Sequence, residues 1–113
     1  MPPTMLELHW RYSGIRSMAE ILLEDATADG PGTAVPLTYG QPREFQHRTV
    51  FLAGTFGGAA VTLEALDAEN NWGAIEDGVF SSPTVVNLSV RCTSLRAVVS
   101  GAGETTSVTV TMV

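Results

Sequence analysis

The sequence has no lysine. All six of its basic residues are arginine, and they stand against twelve carboxylates, giving a formal charge of −6. That balance argues against binding a nucleic acid through its phosphates, because the field of the whole protein repels a polyanion. A protein partner or solvent fits such a surface better. Cysteine is nearly absent as well. Cys92 stands alone, so no intrachain disulfide and no thiolate cluster for zinc or iron–sulfur chemistry can form, and the residue reads as an inert strand or turn position. No stretch approaches the roughly 18 to 20 unbroken apolar residues of a membrane span. The first residues also lack the basic-then-apolar order of a secretory signal, so the expectation is a protein made and used without export by that route.

What is present is enough for one core. Apolar residues make up 44% and charged residues 16% of 113, a composition that folds and a length that suits one ordinary domain. The periodic signals have period two. Val61, Leu63 and Ala65 alternate with Thr62 and Glu64, and Val108, Val110 and Met112 interleave with Ser107, Thr109 and Thr111, as half-buried strands require. Further strands are expected at Phe45–Ala53, Val85–Arg91 and Leu95–Ser100, with a short one at Trp72. Gly54-Thr55-Phe56-Gly57-Gly58 reads as one hairpin turn and Gly101-Ala102-Gly103 as a second, because glycine admits the positive φ angles of tight reversals. Asp67–Asn71 and Asp77-Gly78 mark further turns.

Toward the N-terminus, Leu6, Leu8, Trp10 and Tyr12 alternate with Glu7, His9, Arg11 and Ser13 as an amphipathic strand. Ile15, Met18, Ala19, Leu22 and Leu23 fall at helical spacing, but a strand from Glu20 onward is the preferred reading. Asp25–Gly32 is read as a loop and Thr33–Leu37 as extended. The fold expected is therefore all-β: a single-domain antiparallel β-sandwich, jelly-roll or Ig-like, with residues 1–19 as an extended N-terminal arm and residues 20–113 as the sandwich. A small barrel shares the same alternation.

Each motif that suggests chemistry lacks an essential part. The only imidazoles, His9 and His47, both lie mid-strand by pattern, and no Gly-x-Ser-x-Gly elbow exists, which argues against a Ser-His-Asp nucleophile. Gly54–Gly58 has no P-loop lysine and is followed by a strand rather than a helix. Asp25-Ala26-Thr27-Ala28-Asp29-Gly30 matches the first half of a calcium loop, yet the position of the bidentate Glu is Pro36. Glu64 with Glu69, or Glu76 with Asp77, are the available carboxylate pairs for acid–base work, but a domain this small rarely forms the cleft they would flank. Trp10, Tyr12, Tyr39 and Trp72 suit core or interface anchoring better than sugar stacking. No enzyme activity, cofactor or metal is expected.

From Ile21 onward the order of segments resembles small virion proteins of tailed phages of the capsid decoration type, also called cement or head-stabilisation proteins. The stretches that carry the resemblance are Leu22–Val35, Gly54–Leu63 and Leu95–Gly101, together with Trp72 and Thr106–Val110. The resemblance implies a cofactor-free β-sandwich present in many copies. It also implies assembly in the host cytoplasm onto the outer capsid surface, with the major capsid protein and its own copies, as dimer or trimer, as partners, and neither nucleic acid nor membrane. Another virion part, in the tail, neck or fibre base, is the alternative, and a carbohydrate-binding sandwich a weaker one. Residues 1–19 are extra to this pattern. Their alternating strand can add to the edge of a neighbouring subunit, so Leu6, Leu8, Trp10, Arg11 and Tyr12 are the candidate partner contacts.

Overall fold

The structure is a computed structural model and describes residues 19–37 and 46–113. Among the described residues nine strands follow one another: β1 (Glu20–Ala26), β2 (Gly30–Pro31), β3 (Val35–Pro36), β4 (Gln46–Thr55), β5 (Ala60–Leu66), β6 (Trp72–Phe80), β7 (Thr84–Val90), β8 (Ser94–Ser100) and β9 (Ser107–Met112). They form two antiparallel sheets, β1-β9-β4-β7 and β2-β8-β5-β6, with β3 pairing β8 beyond β2. The chain is an all-β sandwich.

Taking β2 and β3 as one interrupted strand, the neighbours are nested: β1 with β9, β2 and β3 with β8, β4 with β7, and β5 with β6. This is the order of a long antiparallel hairpin rolled up into two facing sheets, the jelly-roll topology. The β5–β6 turn is the tip of that hairpin. There Asp67 Oδ1 accepts hydrogen bonds from the backbone N–H of Glu69 at 2.7 Å and of Asn71 at 2.9 Å. Those donors, Asn71 first, hold the exposed Asp67 carboxyl below its ordinary value. A depressed folded-state pKa contributes stability above the ordinary carboxylate range, and the contribution is lost as pH falls through the lowered value.

The core follows from period two. Val61 and Leu63 on β5, Leu95, Ala97 and Val99 on β8, and Val108, Val110 and Met112 on β9 are buried, and Leu22, Leu23, Val50 and Leu52 join them. Leu63 lies opposite Ala97 on the neighbouring strand, a large residue beside a small one, as dense packing favours.

The structure departs from sequence expectation at three places. The glycine turns Gly54–Gly58 and Gly101–Gly103 close no hairpins. β4 lies in one sheet and β5 in the other, and β8 and β9 are likewise divided, so each turn is a corner between sheets. Alternation marks where a strand ends, not which sheet the chain enters next. Asp77-Gly78 lies inside β6, where Asp77 has φ 59° and the ladder with β5 shifts register between Thr62 and Glu64. It is a bulge that lets the strand continue, and the reversal falls at Ser81-Ser82-Pro83 instead. Finally, the Asp25–Gly32 loop shrinks to Thr27–Asp29, because Asp25 and Ala26 finish β1 while Gly30 and Pro31 form β2.

Candidate functional site

Three surface features carry the side chains able to do something, and the first is the outer face of the β1-β9-β4-β7 sheet. Inward positions take the core residues, so alternate positions point out: His47, Thr49, Phe51 and Ala53 on β4, Val85, Asn87 and Ser89 on β7, and Ser107, Thr109 and Thr111 on β9. None is a carboxylate or an arginine. The ladder aligns Ile21, Thr111, Phe51 and Val85 in one row across all four strands. Ile21 is 47%, Phe51 41% and Val85 60% exposed, and Val113, opposite Thr49, is 48% exposed. Charge enters this face at the β1 edge, where Asp25 Oδ1 accepts from outward Thr109 Oγ1 at 3.4 Å. The uncharged part across β9, β4 and β7, with its apolar row on so acidic a protein, is the surface pattern of a protein contact. Sequence alternation concealed it. Val50-Phe51-Leu52 and Val85-Val86 are consecutive apolar residues, and the signal was that they are apolar in both phases, one more than the core needs.

On the opposite sheet, Arg96 lies across the strand ladder from Glu64. Its Nη2 stands 2.7 Å from Glu64 Oε1 and its guanidinium 4.2 Å from the Trp72 ring centroid. One carboxylate of the suggested acid–base pairs is thereby engaged in an ion pair, and one ring face of Trp72 is covered by a cation. These groups brace the sheet and leave Trp72 with less open ring for stacking on a sugar.

The third feature is the double corner. Thr106 is buried; its Oγ1 donates to Phe56 O at 2.8 Å and accepts from Gly103 N–H at 2.9 Å, tying the β4–β5 corner to the β8–β9 corner. Asp29 Oδ1 accepts from Ala102 N–H at 2.7 Å. Asp25 bonds instead to Thr109, whose Oγ1 accepts its backbone N–H at 3.1 Å. Thr109 Oγ1 in turn donates to Asp25 Oδ1 at 3.4 Å, so the two carboxylates of the half calcium pattern are tied to different groups, Asp29 to the β8–β9 corner and Asp25 to β9. Among the described residues no group of three or more His, Cys, Asp or Glu side chains is placed to hold a metal ion.

Cys92 lies on the bend between β7 and β8, half-buried, with Sγ donating to Ser94 O at 3.3 Å. Burial pushes its thiol above the ordinary value. Alkylation at pH 8 is expected to run slower than that of a free thiol such as glutathione and to speed up in urea. A thiol-release assay that finds the folded protein as fast as glutathione contradicts this.

His47 is exposed on the uncharged face. The candidate contacts Leu6, Leu8, Trp10, Arg11 and Tyr12, with His9 and Tyr39, lie outside the described residues. Comparison with protein-family models, with curated proteins and with solved structures yields no match.

Proposed function

We propose that this protein is a structural subunit of a tailed-phage particle that binds the outer surface of the capsid, in the host cytoplasm, and stabilises it. The observation that carries the reading is the apolar-striped outer face of the β1-β9-β4-β7 sheet, uncharged across β9, β4 and β7. Such a face serves adhesion and offers no enclosed site for turnover. The sequence resemblance from Ile21 onward supports the same function, and jelly rolls are a fold that viral shells use, an argument by analogy. A capsid is a repeating lattice, so a subunit that associates with its own copies engages several lattice points and gains avidity from contacts that are weak singly. The net negative charge suits a surface turned away from packaged DNA.

The arm is assigned to the major capsid protein. Residues 1–19 are extra to the pattern that the sequence resembles, so deletion of residues 1–13 is expected to leave a cooperatively folding domain. Binding to purified capsids should then weaken about tenfold or more, since losing an aromatic anchor at an interface costs about 2 kcal/mol. Co-sedimentation with capsids at micromolar concentration measures this. If the intact protein does not co-sediment, the reading is wrong; if the deletion prevents folding, these residues belong to the core.

A further inference from the structure

Sheet edges are sites of unwanted pairing, and proteins blunt them with charge, proline, bulges or short strands. Three of the four described edges here are blunted. β1 carries Glu20, Glu24 and Asp25 and two register shifts against β9. β2 and β3 are two residues each and contain Pro31 and Pro36, which donate no ladder bond. β6 carries Glu76 and Asp77 and a bulge. β7 has none of these. Thr84-Val85-Val86-Asn87-Leu88-Ser89-Val90 holds no charge, proline or glycine and keeps perfect register with β4 over all seven rungs. Among the described residues β4 is its sole sheet neighbour.

We propose that β7 is a homodimerisation edge: two copies pair β7 with β7 antiparallel about a twofold axis at Asn87, joining two four-stranded sheets into one of eight. The strand is self-complementary in that register. Inward Val86 meets Leu88 of the second copy and Thr84 meets Val90, apolar or β-branched pairs that suit a half-covered sheet edge. On the outer face Val85 meets Ser89, extending the row of Ile21, Thr111 and Phe51. Asn87 meets Asn87. Thr49 Oγ1 donates to Asn87 Oδ1 at 2.9 Å, which uses one lone pair of the amide oxygen and leaves its second lone pair and the amide N–H donors for the facing amide. A twofold contact brings a residue against itself or its mirror position. A charged edge on a protein of charge −6 would repel its copy, and β7, unlike β1 and β6, carries no charge. A second copy is therefore the occupant, in preference to a basic partner, for which β7 has no carboxylate to offer.

The test exploits position 87 facing itself, in the absence of capsids, so its failure leaves the capsid reading standing. Sedimentation velocity of the full chain should show a dimer at micromolar concentration. Asn87→Lys and Asn87→Asp, each confirmed folded by circular dichroism and thermal melting, should each weaken dimerisation about tenfold or more, since like charges lie directly opposite. Mixing the two variants in equal amounts should restore the dimer. A wild-type monomer overturns the proposal. So does a dimer insensitive to both variants, or one lost on deleting residues 1–13 but kept by Asn87→Lys, which would assign the contact to the arm. If Asn87→Lys fails to fold, Ser89→Lys against Val85→Asp provides the same complementation at the neighbouring rung.

Discussion

Gly54→Ala is expected to lower the unfolding free energy by about 2–6 kcal/mol, combining a strained dihedral and an unrelieved overlap. Gly54 has φ 107°, and a methyl group there would lie 2.2 Å from Ser107 O and 3.2 Å from Val108 Cα. Both neighbours are backbone. Val108 is fully buried, and β9 is held between β1 and β4, so the obstacle cannot move without separating the Gly54–Val108 and Thr55–Ser107 rungs that end the β4–β9 ladder. Two other glycines separate the contributions. Gly58 has φ 90° but open space around its Cβ position, and Gly73 has open space and no positive φ. Gly58→Ala should therefore cost only the dihedral part, about 1–3 kcal/mol, and Gly73→Ala about 0.5 kcal/mol or less. Chemical denaturation of the three variants gives the order. A Gly54→Ala protein as stable as Gly73→Ala would show that β4 and β9 do not approach as described.

Leu63→Ala should cost about 2–5 kcal/mol, the range for a buried leucine truncated in a packed core. Leu63 is fully buried on β5, between β8 and β6. Its cross-strand neighbour on β8 is Ala97, also fully buried, so on that side no large side chain stands beside it to swing into the void. For a domain whose whole stability is about 5–15 kcal/mol, this is a large fraction. The control is Val79→Ala, on the outer face and 59% exposed, where a change within about 0.5 kcal/mol is expected. Denaturation midpoints at unchanged slope measure both. A loss under about 1 kcal/mol for Leu63 would mean that the two sheets do not close over β5.

How far the sequence disclosed this fold depends on which physical rule each segment obeys. β5, β8 and β9 obey alternation strictly: Val61 and Leu63, then Leu95, Ala97 and Val99, then Val108, Val110 and Met112 are all inward and buried. Their strands were legible for that reason. Sheet membership was not. A chain that reverses at Gly57-Gly58 satisfies the same local geometry whether it pairs with its predecessor or crosses to the facing sheet, and only long-range packing, such as Thr106 against Phe56 O, decides. Asp77-Gly78 misled because a bulge uses the residues of a turn.

The candidate site was legible in part. The alternating pattern Leu6 to Tyr12, with its aromatic and arginine residues, is read as a contact candidate from composition, and those residues lie outside the described structure. The apolar row through Phe51 and Val85 needs the strand register, which brings residues far apart in sequence into line.

The direct test of the capsid assignment is to image whole particles assembled with and without this protein. Extra density repeated across the outer shell, at symmetry-related positions, is the result the account predicts. Density confined to one vertex would place the protein in the tail or neck, and particles identical in both preparations would contradict a virion role altogether.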